Sequence, residues 1–309
     1  MRKLFLAAAA AVSFPWSICS AQAAETGLYA GPGCYGLTHL SRFDAWLGEP
    51  VHHVTENLDQ SSWSNLVSDA EWSIGCYAKV RSTTSFTFSI PMLTEDGAST
   101  LAKGAAGEYD QYFTQIAKIL VAHDLSTSII RIGWEFNGNW QPWSSHKDNV
   151  HFMSYYRRIV SLMRAVPGAR FQFEWCPNVG TGSLAPDQSY PGDDFVDIVG
   201  MDVYDGHYSA IDAAADSRWN YFVTRDYGLQ WQVDFANAHG KRFSLPEWAC
   251  CGASTGDDPY FINQMARWLR NNGYLYADYW DSNTVYRGEL SNGQYPMAAA
   301  AYLADFGAR

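Results

Sequence analysis

Two short segments hold the residues best suited to acid–base and nucleophilic work. Glu135 stands in Gly133-Trp134-Glu135-Phe136-Asn137-Gly138-Asn139-Trp140, and Glu247 stands in Leu245-Pro246-Glu247-Trp248. Breaking a glycosidic bond takes one carboxylic acid to protonate the departing oxygen and a second carboxylate to attack or to activate water. Crowding the two raises one pKa, which supplies the acid, and leaves the other ionised. Glutamates set among tryptophans suit that chemistry, because indole faces stack on pyranose rings. Trp134, Trp140, Trp143, Trp175, Trp248 and Trp280 are the candidate stacking surfaces. Arg131, four residues before Glu135, is expected on the same strand face and beneath the site, where its guanidinium keeps a carboxylate ionised. Asn137 is a candidate donor to a sugar hydroxyl, and Tyr204 a candidate donor to the nucleophile.

Other acids fit less well. Asp202 shares a face with Tyr204 one layer deeper, which suits a structural hydrogen bond. Glu174 alternates with Trp175, so one of the two points inward; Trp175 is the expected inward residue and Glu174 the structural one. Asp278 shares a face with Trp280 and has no assigned role. No C-x-x-C or H-E-x-x-H spacing points to a metal, and no G-x-S-x-G elbow points to a serine nucleophile. Gly31-Pro32-Gly33-Cys34-Tyr35-Gly36 matches G-x-G-x-x-G with Glu56 farther on, but Pro32 removes a backbone N–H that a phosphate would need. Neither metal nor cofactor is expected. The histidines, including His52 and His53, show no ligand spacing and read as packed or surface residues.

Such residues need a frame that brings distant strand ends together. Short β-branched and aromatic runs alternate with helical patterns along the chain, the mark of a parallel α/β sheet. Strands are expected over 28–30, 51–55, 86–90, 129–134, 170–175, 196–203, 242–245 and 274–279, with clear helices over 108–124, 150–166, 228–239 and 259–272. Eight units at about 36 residues each predict a single (β/α)8 TIM barrel, in which ligands meet the strand ends of the C-terminal face. Glu135 and Glu247 then end strands three units apart, across the barrel mouth. A doubly wound open sheet is the alternative fold.

Composition narrows the partners. The chain has 309 residues, 47% of them hydrophobic and 16% aromatic, with a net charge of −11, a balance that excludes disorder and argues against nucleic acid or anionic membranes. Met1-Arg2-Lys3, an apolar run over 4–12 and Ala21-Gln22-Ala23 read as a signal peptide over 1–23, leaving one catalytic domain over 24–309 that is secreted or periplasmic. A monomer with a polysaccharide or oligosaccharide as its partner is expected. Beyond that leader stand five cysteines, an odd number. Cys34 with Cys76 is the preferred bridge, and Cys176 is expected to meet Cys250 or Cys251.

At the quoted motifs the chain resembles glycoside hydrolase family 26, whose members are (β/α)8 barrels, retaining β-mannanases and related β-glycanases. The family's strand 4 reads Arg-Pro-Leu-His-Glu-Met-Asn-Gly, against Arg131 to Gly138 here, and the stretch from Tyr190 to Tyr204 matches the approach to and course of strand 6. The resemblance implies Glu135 as acid/base, Glu247 as nucleophile, Tyr204 as the site tyrosine and Trp280 as the aromatic floor of the cleavage subsite. It departs at Trp134, where the family has a histidine that contacts the sugar in mannan-cleaving members. The resemblance thus implies a secreted, endo-acting, retaining glycosidase for β-mannan or another β-glycan, such as a xylan, a mixed-linkage glucan or a bacterial exopolysaccharide. The competing expectation is a barrel that binds carbohydrate without cleaving it.

Overall fold

The computed structural model describes residues 24–206 and 214–308; the leader read over 1–23 lies outside them. Among the described residues ten strands form one all-parallel sheet: β1 (Glu25–Tyr29), β2 (His53–Asn57), β3 (Ser85–Ile90), β4 (Ile129–Ile132), β5 (Gln172–Trp175), β6 (Ile198–Val199), β7 (Asp202–Tyr204), β8 (Arg242–Phe243), β9 (Leu245–Ala249) and β10 (Tyr276–Trp280). Their order, β7-β9-β10-β1-β2-β3-β4-β5-β6-β8, becomes a ring once β6 runs on into β7 and β8 into β9. The ring therefore has eight strand positions, and the chain is a (β/α)8 barrel. The expected sixth and seventh strands are each interrupted. β6 pairs with β8 and β7 with β9, and the breaks at Gly200-Met201 and Ser244 let each pair keep its own register.

Helices cover the outside: α1 (Gly33–Leu47), α2 (Trp63–Tyr77), α3 (Leu101–Ala106), α4 (Asp110–Ala122), α5 (Asn149–Arg164), α6 (Ala215–Thr224), α7 (Leu229–Ala238), α8 (Pro259–Asn272) and α9 (Pro296–Phe306). Local chemistry sets their ends. Asp258 accepts from the backbone N–H of Tyr260 at 2.9 Å and of Phe261 at 3.2 Å, Pro259 fills the first turn, and Gly273 closes α8 in the left-handed region at φ 69°.

Strand alternation divides most of the side chains, with buried Glu56 facing Ser73 of α2 as an exception on the outward side. Leu28, Val54, Phe88, Ile130, Phe173 and Val203 point outward into the helix layer and are buried, each contributing about 1.5–3 kcal/mol by leaving water. The inward rows are mostly polar, with Ile129 and Ile198 as apolar members packed with Tyr276. His53 Nδ1 lies 2.8 Å from Asp278 Oδ2, Thr87 donates to Tyr276 at 2.9 Å, and Tyr276 donates to Glu174 at 2.8 Å. Burial pushes Glu174 up to about 6, against the pull of Ser244, Arg131 and Tyr276. Gly27 leaves the room that Asp278 occupies, since a Cβ there would collide with its carboxylate. This network fills the barrel floor, and His53 is a packed residue in it.

The cysteines only partly match expectation. Cys34 and Cys76 are joined, with Cα atoms 5.1 Å apart, tying α1 to α2. Cys250 and Cys251 are joined to each other, so Cys176 does not meet either of them. Cys176 is free and buried, with its thiol 3.3 Å from Asp202.

Candidate active site

β9 presents Glu247 inward, in register with Asp202 of β7. Three donors converge on its carboxylate. Arg131 and Asn57 reach Oε1, the latter at 3.1 Å, and the Tyr204 hydroxyl donates to Oε2 at 2.5 Å. Arg131 is fixed in turn by donating to Ser89 Oγ at 2.8 Å, Asp202 Oδ1 at 2.8 Å and Asn57 Oδ1 at 3.1 Å. Burial alone would lower the Arg131 pKa; Asp202 and Glu247 more than offset it, so the guanidinium stays charged. Burial, then the charge of Glu247, pushes the Tyr204 phenol well up, which keeps it a donor.

Glu135 arrives differently. β4 ends at Ile132, and Gly133 and Glu135 both take positive φ, 54° and 52°. The backbone N–H of Glu135 donates to Cys176 O at 2.8 Å, which anchors this turn to the end of β5. A left-handed glutamate is uncommon and marks a position held by its surroundings. Its Oε1 accepts from Asn178 Nδ2 at 2.6 Å and its Oε2 from Trp140 Nε1 at 2.7 Å. Burial first, and the Glu247 charge second, raise its pKa to about 7, despite those two donors. The pair is therefore unequal: Glu135 is raised to about 7, and Glu247 is held by three donors.

Both glutamates line one open cleft of about 930 Å³ at the C-terminal face. Trp134, Trp140, Tyr204 and Trp280 line it as well. Trp280 stacks on Tyr29, with ring centroids 3.8 Å apart and planes within 5°. Arg131 lies 5.2 Å from the Trp134 ring, and Trp140 is 54% exposed. The other expected sugar contacts are elsewhere. Trp143 is fully buried behind Trp134 and donates to its carbonyl at 2.8 Å. Trp175 faces outward against Phe136 and Phe235, and Trp248 faces outward against Tyr279 and Tyr302. Alternation decides this. With Glu174 and Glu247 pointing in, the next residue on each strand must point out.

Asn137 is also committed to the protein. Its Nδ2 donates to Asn178 O and Gly180 O, both at 2.9 Å, and its Oδ1 accepts from Asn178 N at 2.9 Å. It clasps the loop after β5, and so sets Asn178 against Glu135, instead of meeting a sugar hydroxyl. Sequence reasoning assigned no role to Asn178, Asn57 or Tyr29. Asn57 and Tyr29 end inward rows of β2 and β1, a position that alternation from His53 and Gly27 would have found. Asn178 follows Pro177 in a loop, where no periodicity applies.

An acid still protonated near pH 7, set against a carboxylate ringed by donors, in an aromatic cleft at the mouth of a (β/α)8 barrel, is the arrangement of a glycoside hydrolase. Comparison with known proteins gives the same class. The model of glycosyl hydrolase family 26 matches residues 61–271, and the chain belongs to that family. A mannan endo-1,4-beta-mannosidase of Bifidobacterium adolescentis is 32% identical over 157 residues, which are 45% of this chain and only 14% of that relative's length. Among solved structures, the catalytic domain of an endo-beta-1,4-mannanase from Bacillus sp. JAMB-750 superposes with a TM-score of 0.65 at 18% identity, over 94% of this chain and 88% of the other. A Bacillus subtilis mannanase gives 0.64 at 17% identity, over 92% and 85%. At these identities the structures speak for the fold.

Proposed function

We propose that the protein is a retaining, endo-acting β-glycanase that cleaves β-1,4-mannan, with Glu135 as acid/base and Glu247 as nucleophile. The observation that carries this is the asymmetry of the pair. Glu135, raised to about 7, has a proton to give the departing oxygen. Glu247 keeps an Oε2 lone pair for the anomeric carbon, while Tyr204 and Arg131 orient the carboxylate. After the first displacement Glu135, now a base, draws a proton from water that releases the sugar from Glu247. Trp280 and Tyr29 offer a flat surface beneath the reacting ring, and the openness of the cleft suits attack within a chain. β-Mannan is favoured because the relatives above are described as mannanases. Residues 1–23, with their basic start, apolar run and small-residue exit, support export to where such polymers occur.

A second substrate reading rests on Trp134. An indole stands at the family's histidine, lines the cleft and is backed by Trp143, so the ring at the cleavage point meets an apolar face instead of an imidazole. That favours a β-glycan other than mannan. Reducing-sugar release from mannan, xylan, mixed-linkage glucan and bacterial exopolysaccharides, by the wild type and by Glu247→Gln, tests both readings. Release from mannan by the wild type alone supports the first; release only from another glycan supports the second. Equal release by both proteins contradicts the role of Glu247.

A further inference from the structure

The chain leaves β9 through two joined neighbours. Cys250 and Cys251 follow Ala249, both are fully buried, and Cys251 takes a φ of 74°. A residue other than glycine seldom rests in that left-handed region unless its surroundings hold it there. Here the bond between the sulfurs closes a small ring around the Cys250-Cys251 peptide, and Cys251 Sγ accepts from the Asp258 backbone N–H at 3.4 Å.

What this turn fixes is the next residue. Gly252 N donates to the Tyr286 hydroxyl at 2.7 Å, and that hydroxyl donates to Asp205 O at 2.6 Å. Asp205 N donates back to Ala249 O at 2.9 Å. One phenol thus closes a seam between the segments that follow β7, β9 and β10. A Cβ on Gly252 would lie 2.7 Å from the same hydroxyl, so only glycine lets the backbone come this close. The Tyr286 ring packs on Tyr204, with centroids 4.7 Å apart, and Tyr204 is the donor to Glu247 Oε2.

We infer that Tyr286 and the Cys250–Cys251 bridge are positioning elements for the nucleophile: the bridge sets Gly252 N, Gly252 N sets the Tyr286 hydroxyl, and the Tyr286 ring sets the aim of Tyr204 at Glu247. The inference rests on the functional reading above, in which Glu247 attacks the sugar. It gives the two disulfides different work. Cys34–Cys76 ties outer helices together, whereas Cys250–Cys251 acts on the reaction through Tyr204. Aim at the anomeric carbon matters most as the bond forms, so its loss falls on kcat more than on KM.

The test is a set of double-mutant cycles. Tyr286→Phe, and Cys250→Ala together with Cys251→Ala, are each made in the wild type and in Tyr204→Phe, and kcat and KM are measured on whichever glycan the wild type cleaves. In the wild-type background each change is expected to lower kcat about tenfold with KM within about twofold. In the Tyr204→Phe background each is expected to alter kcat by less than about twofold, because the hydroxyl it aims is already gone. Should the cysteine variant fail to fold, Gly252→Ala, which pushes the turn off the Tyr286 hydroxyl, takes its place with the same expectation. Alkylation of the denatured, unreduced protein is expected to label Cys176 and neither Cys250 nor Cys251; label on that pair overturns the bridge. Equal losses of kcat in both backgrounds, or no loss in the wild type, overturn the positioning role and leave the hydrolase reading intact. A wild type inert on mannan, xylan, mixed-linkage glucan and bacterial exopolysaccharides overturns the hydrolase reading, and the positioning role with it.

Discussion

At the scale of single residues, the unequal glutamates govern the pH response. Glu135 sits near 7, so kcat/KM should fall as pH rises through about 7, where the acid loses its proton. Trp140 donates to the ionised form of Glu135 and lowers its pKa, so Trp140→Phe should move the alkaline limb upward by as much as about one unit. A pH–rate profile of each protein reads this directly. Stability follows the same group with a definite sign. A folded pKa raised from 4.5 to about 7 leaves stability fullest below 4.5 and lowers it as pH climbs toward 7. Glu135→Gln should flatten that decline, as urea midpoints across the range would show; an unchanged slope would contradict the assigned burial. The two carboxylates were legible in the sequence because strand ends concentrate chemistry in this fold. Asn178 was not, because it is placed by the turn that Asn137 clasps.

At the scale of elements, strand parity explains what was read correctly and what was not. Glu247 and Trp248 are neighbours on β9, as Glu174 and Trp175 are on β5, so neither pair can present both members to the cleft. For Glu174 and Trp175 the constraint was applied but the inward place was given to the wrong member, and for Glu247 and Trp248 both were assigned to the site against it; the helix layer claimed both rings. The interrupted sixth and seventh strands were beyond reach, since their breaks follow from which neighbour each half pairs with. Arg131 reached the expected place beneath the site, although β4 ends one residue later and Glu135 arrives through a left-handed turn. The clasp from Asn137 carries a prediction. Asn137→Ala should lower kcat about 10- to 100-fold with little change in KM, because Asn178 loses its aim at Glu135. It should also cost about 1–3 kcal/mol, from backbone groups left unpaired. Steady-state kinetics and denaturant unfolding separate the two effects, and an unchanged kcat would contradict the positioning role.

At the scale of the molecule, the barrel holds mostly polar side chains inside and mostly apolar ones outside, so the helix layer supplies most of the hydrophobic core and the interior carries charge. The (β/α)8 frame was legible from the alternation of strand and helix and from the unit length. The Cys34–Cys76 bridge was legible because both residues lie in neighbouring early elements; the mutual pairing of Cys250 and Cys251 was not, since adjacent cysteines give no spacing to read. The Cys34–Cys76 bridge closes a separation of 42 residues between two outer helices. Cys34→Ser should therefore lower unfolding stability by about 2–4 kcal/mol while leaving kcat at moderate temperature unchanged. Thermal unfolding beside an activity assay checks this, and a large loss of kcat would tie the bridge to the cleft.

In the proposed mechanism Glu247 forms a covalent bond to the sugar while Glu135 manages the proton. A 2-deoxy-2-fluoro β-mannosyl fluoride slows release of the intermediate, and peptide mass spectrometry then locates the label. The expected result is one fluorosugar on the peptide bearing Glu247, and none in Glu247→Gln. A label on any other residue, or no label together with products of inverted anomeric configuration, would contradict the mechanism.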